Sequence, residues 1–130
     1  MNEYDLWNKV KKDLESVDQK VERFPQEGEV WISILGKNIG FEQHGSREDF
    51  SRPVLVLKKF NNHMFWCIPL TTKQKEYDFY FNYIDPDSQK VAAILAQMKL
   101  MSIKRLQRKL YLFNNRDFGV IKSRIRYLIQ

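Results

Sequence analysis

Arg52 and Thr71 are the residues of this 130-residue chain whose types and positions best suit chemistry. Each stands at the end of a short apolar run. Arg52 opens Arg52-Pro53-Val54-Leu55-Val56-Leu57, and Thr71 follows Cys67-Ile68-Pro69-Leu70. The short connection between the runs is that of neighbouring antiparallel strands. A guanidinium is a permanently charged planar fork that clasps two phosphate oxygens, and a hydroxyl beside it can bond another. Together they are a minimal set for stabilising a reacting phosphodiester without metal or cofactor. Pro53 fixes one backbone angle just after Arg52 and so helps to aim it. Strand side chains alternate, so Thr71 or Thr72, but not both, shares that face.

Cleaving a phosphodiester also requires a group to take the nucleophile's proton and one to protonate the departing oxygen. His44, in the polar loop before the arginine strand, is a candidate carrier. The lone Cys67 excludes an internal disulfide, and with only His44 and His63 beside it no zinc-ligand spacing emerges. Cys67 reads as a small buried hydrophobe in a strand, and no cofactor or metal is expected. Charge is uneven: residues 98–130 carry nine Lys or Arg against Asp117 alone, a balance of +8, which leaves −2 on the rest of the net +6. A cationic second half suits a polyanionic partner, because each neutralised phosphate releases condensed counterions.

These groups need a scaffold. Residues 2–22 read as a helix, with Leu6, Val10, Leu14, Val17 and Val21 at three- and four-residue steps. It ends before Phe24-Pro25, since proline disfavours helical geometry in the preceding residue. Strands are expected over residues 30–35, 54–58, 64–70 and 77–84, with a strand or extended pair over 91–101 and a last strand over 109–113. A long polar loop covers 36–51 and carries Glu42, Gln43 and His44. Asn61-Asn62-His63 reads as a hairpin turn in which asparagine tolerates left-handed geometry. Residues 102–106 read as one helical turn, and Asn115 caps a terminal helix with Phe118, Ile121, Ile125 and Leu128 on one stripe. Gln97 and Lys99, alternating with Met98, are expected on one sheet face. Phe60, Phe65, Trp66 and Tyr80 are either core or platforms for unpaired bases. Many short strands with flanking helices make the chain mostly β, an α+β protein built on a small, strongly curved antiparallel barrel. The expected division is a helical extension, residues 1–24, and one domain, 25–130. No apolar run is long enough to span a bilayer, and Glu3 and Asp5 stand where a secretory signal carries basic charge, so a cytoplasmic protein with no membrane partner is expected.

Taken in order, Gly28-Glu29-Val30-Trp31, Gly40-Phe41-Glu42-Gln43-His44-Gly45, Ser51-Arg52-Pro53, Pro69-Leu70-Thr71-Thr72 and Ala96-Gln97-Met98-Lys99 resemble the blocks of the MazF/PemK family of toxin endoribonucleases from bacterial toxin-antitoxin pairs. The resemblance runs from about Gly28 to the C-terminus. It implies an SH3-like barrel and a metal-independent endoribonuclease acting on single-stranded RNA, with a homodimeric state and a cognate antitoxin as partner. It carries the principal catalytic arginine onto Arg52 and selects Thr71 over Thr72. Gln97 and Lys99 then line the RNA groove with Thr72 and Lys73, while Glu42, Gln43 and His44 organise the loop or contact substrate. Two departures stand out: Ala96 replaces an acidic residue frequent next to the glutamine, and the stretch between Gly45 and Arg52 exceeds the family's short link. The alternatives are a catalytically weak barrel that binds nucleic acid or protein, and a gyrase-poisoning toxin on a related barrel, which would not need Arg52 and Thr71.

Overall fold

The structure, a computed structural model, describes residues 24–34 and 51–130. The expected helix over residues 2–22, and with it nearly all of the proposed extension, lies outside the described residues, as does the loop bearing Glu42, Gln43 and His44. The described chain forms β1 (Glu29–Ile34), β2 (Ser51–Lys59), β3 (Met64–Thr71), β4 (Tyr80–Ile84), β5 (Lys90–Ile94), β6 (Lys99–Ser102), β7 (Leu106–Leu112) and one α-helix, α1 (Asn115–Leu128). The strands pair in the order β4-β5-β3-β2-β1-β7, with β6 also on β3, and every pairing is antiparallel.

β6 and β7 follow each other in sequence, yet they sit at opposite ends of the path β6-β3-β2-β1-β7. In a flat sheet they would lie about 19 Å apart at ~4.8 Å per strand. A single 3-10 turn, Ile103–Arg105, joins them, and three residues at ~2 Å rise reach only about 6 Å. The five strands must therefore curl until their ends meet. Inside the curl lie Val54, Val56, Phe65, Cys67, Met101, Ile103 and Leu106, with Trp31 packed against them. The convex side carries a second core of Val30, Leu55, Leu57, Ile68, Leu70, Phe81, Val91, Ala93, Leu95 and Phe113, closed by Ile121 of α1. β2 and β3 are thus covered on both faces. That is why Val54-Leu55-Val56-Leu57 and Cys67-Ile68-Pro69-Leu70 are continuous apolar runs rather than alternating ones.

Local differences from the sequence reading have identifiable causes. Leu57 is an inserted residue: Val56 pairs with Cys67 but Lys58 with Trp66, a bulge that bends the strand. The stretch over 91–101 is broken into β5 and β6 by a 3-10 turn, Leu95–Gln97. The helix cap is Asn114, whose Oδ1 accepts from the Asp117 backbone N–H at 2.7 Å, one residue before the expected Asn115. At the 61–63 turn no asparagine is left-handed. Asn61 Oδ1 instead accepts from the backbone N–H groups of His63 and Met64 at 2.7 and 2.9 Å, a side-chain-closed turn. No described helix is long and apolar enough to cross a membrane.

Candidate active site

β2 and β3 set the site. Their register pairs Val56 with Cys67 and Val54 with Pro69; beyond it Thr71 pairs with Ala92 of β5, and strand alternation leaves Arg52 on the side of Val54 and Thr71 on that of Pro69. Residues directly opposed in an antiparallel pair share a face. That face is the inner one: Arg52 continues the row Val56, Val54, and Thr71 the row Phe65, Cys67, Pro69. Both side chains are half-buried and crown one end of the inner core. Thr71 Oγ1 accepts the backbone N–H of Lys73 at 3.1 Å. This anchors the oxygen and leaves the hydroxyl hydrogen available to donate. Thr72 and Lys73 follow on the exposed end of β3.

Lys99 opens β6 opposite Cys67 and so stands on the same face as Arg52 and Thr71, about 13 Å along β3 from Thr71 at ~3.3 Å per residue. Gln97 does not share a strand with it. The residue ends the 3-10 turn, exposed, so period-two alternation through Met98 does not apply. Cys67 is fully buried, and burial, partly offset by the Lys99 charge, pushes its thiol up to about 11. It stays a neutral thiol near pH 7, the packing residue expected from its position.

The aromatic candidates separate by face. Phe65 is core. Trp66 is exposed, meets Phe60 edge-to-face at 4.9 Å and pairs with Leu100, but it points to the opposite side of β3 from Cys67 and Thr71. It cannot serve as a base platform beside Arg52. Tyr80 is half-buried among Tyr77 and Phe79. An open groove of about 1080 Å³ runs between this segment and α1, walled by Tyr77, Asn82, Arg116, Arg124 and Tyr127. Of the groups singled out from sequence, Tyr80 alone lines it. Arg124 there is partly committed to holding the helix, donating to the Tyr80 carbonyl at 2.8 Å and lying 5.6 Å from the Phe81 ring centre.

The block Gly28-Glu29-Val30-Trp31 is scaffold. Glu29 Oε1 accepts from the Gln26 backbone N–H at 2.8 Å and from Trp31 Nε1 at 3.0 Å, while Lys109 Nζ donates to Oε2 at 3.3 Å. Burial raises the Glu29 pKa, but these donors and the Lys109 charge outweigh it and hold the carboxyl below its ordinary value. The Glu-x-Trp spacing thereby aims the indole at the inner core. Gly28, at φ +93°, is the joint where the entering chain meets two elements. Its N–H donates to the Val56 carbonyl and its carbonyl accepts from the Phe113 N–H, both at 2.8 Å. A glycine adopts that conformation without strain. Sequence reasoning missed the buried Ser33 and the half-buried Arg105. Ser33 Oγ donates to the Arg52 carbonyl at 3.0 Å, and Arg105 Nη1 to the Ile34 carbonyl at 3.3 Å. A lone hydroxyl inside the apolar run 30–35 was the available signal for the first.

A family model described as PemK-like, MazF-like toxin of type II toxin-antitoxin system matches residues 26–129. The chain belongs to this toxin family. No curated protein matches it. Solved structures do. The Mycobacterium tuberculosis toxin MazF-mt6 is similar at 14% identity and TM-score 0.60, covering 78% of this chain and 95% of that one. MazF in a MazE-MazF structure from Deinococcus radiodurans aligns at 15% identity and TM-score 0.63, over 83% and 97%. An endoribonuclease in complex with its cognate antitoxin, from a mycobacterial species, aligns at 12% identity and TM-score 0.62, over 82% and 95%. At such identities the likeness is one of fold: the MazF-like sheet with its C-terminal helix.

Proposed function

We propose that this toxin is an endoribonuclease that cleaves single-stranded RNA, messenger RNA included, by internal transesterification, with Arg52 and Thr71 as its catalytic residues. The observation that supports the reading is the β2–β3 pairing, whose alternation, carried past Val54 and Pro69, puts Arg52 and Thr71 on the side of the inner core. The 2′-oxygen attacks the adjacent phosphorus and loses its proton to a base. The bond to the 5′-oxygen breaks, that oxygen takes a proton, and a 2′,3′-cyclic phosphate remains. Negative charge builds on the non-bridging oxygens, where the Arg52 fork and the Thr71 hydroxyl hydrogen can meet it. The guanidinium supplies the positive charge that a metal would otherwise bring, so the reading needs no cofactor.

Lys99 shares the face and fits a flanking phosphate. Gln97, Thr72 and Lys73 are exposed on the adjoining turns and fit substrate contacts, and Glu42, Gln43 and His44 are the proposed loop contributors. Unpaired strands suit such a site because their bases are splayed and readable. The homodimer and a cognate antitoxin complete the proposal. The solved relatives include one endoribonuclease held with its antitoxin, and a cationic second half suits an acidic antitoxin segment. The test incubates the purified toxin with a long mixed RNA in chelator. Discrete cuts ending in cyclic phosphate are expected, and Arg52→Ala should abolish them with its circular dichroism and melting unchanged. Retarded but intact RNA would make the protein a binding barrel, and undiminished cutting by Arg52→Ala would remove Arg52 from the reaction.

A further inference from the structure

Ser33 is fully buried, one of two buried polar or charged side chains among the described residues. A hydroxyl withdrawn from water without a partner costs about 1–3 kcal/mol, so an apolar residue would fill this strand position more cheaply unless the bond it makes matters. Its bond goes to one place: Oγ donates to the carbonyl of Arg52 at 3.0 Å. The two residues are also directly paired across β1 and β2, so Ser33 projects into the inner core beneath Arg52.

The peptide group receiving that bond is unusual. It joins Arg52 to Pro53 and has no N–H, so in the ladder it can be held through its carbonyl alone. Rotation of this group would swing the Arg52 Cα–Cβ bond and move the guanidinium, several bonds further out, by a larger arc. From the other side, Arg105 Nη1 donates to the carbonyl of Ile34, the residue after Ser33.

We infer that Ser33 is a positioning residue that sets the aim of Arg52 by fixing the Arg52–Pro53 peptide group. The inference rests on the proposal that Arg52 acts on the phosphodiester. Ser33 touches no substrate. Its loss should lower the rate of the chemical step while leaving RNA binding intact, because misdirecting one charged fork removes an interaction made chiefly in the transition state.

The experiment measures kcat and KM on a synthetic single-stranded RNA in chelator for the full-length protein. Variants are Ser33→Ala and, to keep the volume while weakening the donor, Ser33→Cys. Both should lose about tenfold in kcat with KM changed by less than about twofold, and Ser33→Thr should recover most of the rate. On an Arg52→Lys background, whose flexible ammonium depends little on backbone aim, the same change should cost less than about threefold. Wild-type rates in both variants would overturn the inference. So would a loss that follows the melting temperature or KM, or one of equal size on the two backgrounds. Failure of the underlying reading looks different: Arg52→Ala would then cleave RNA with Ser33 still in place.

Discussion

At the scale of single residues, Glu29 shows how a buried charge is kept. Two oxygens serve three donors, one of them cationic, and the carboxylate is 8% exposed. Its folded pKa lies below the ordinary 4.5, so the folded protein binds this proton more weakly than the unfolded chain does. The stability Glu29 contributes is therefore complete above about pH 4.5 and is lost as pH falls through the folded value. Glu29→Gln is expected to cost about 1–2 kcal/mol at pH 7. Urea titrations of both proteins from pH 7 down to about pH 3 should show the gap closing in acid, and a gap independent of pH would contradict the ion's role. The strands that carry Arg52 and Thr71 were legible at this scale because apolar runs with polar ends are strand signatures. Ser33 was not, because a serine in a strand shows its acceptor only once the partner strand is in register.

At the scale of elements, α1 is held by a cap at one end and a single deep anchor in the middle. Asn114 satisfies the Asp117 N–H, and Ile121 is fully buried in the convex core with Phe118, Ile125 and Leu128 around it. The apolar stripe was readable as a helix face from spacing alone. Ile121→Ala should cost about 2–5 kcal/mol, against about 1 kcal/mol for Asn114→Ala, both read from denaturant midpoints. An equal effect of the two would mean that α1 is not seated on the core. Strand limits were less legible. The Leu57 bulge and the 3-10 turn that carries Gln97 arise from fitting a curved sheet to its neighbours, and no local pattern in Lys58 or Ala96 announces them.

At the scale of the whole molecule, charge and curvature act together. The sequence places +8 on residues 98–130, which include β6, β7 and α1, so the basic residues are spread over several elements rather than gathered on one loop. RNA binding should accordingly weaken steeply with salt, with log affinity falling linearly against log salt between about 50 and about 200 mM. Lys99→Ala should reduce the slope by about 0.7, the value expected when one phosphate contact to a single strand is lost; an unchanged slope would take Lys99 out of the groove. Length, strand and helix pattern, basic balance and the ordered blocks were properties the chain declared by itself, because each depends on residues near one another in sequence. Which side Trp66 takes and that Ser33 reaches the Arg52 carbonyl were decided only by tertiary structure. A strand's two faces become inside and outside when a partner fixes the register, and here the three-residue turn between β6 and β7 forces the sheet to curl and makes that choice.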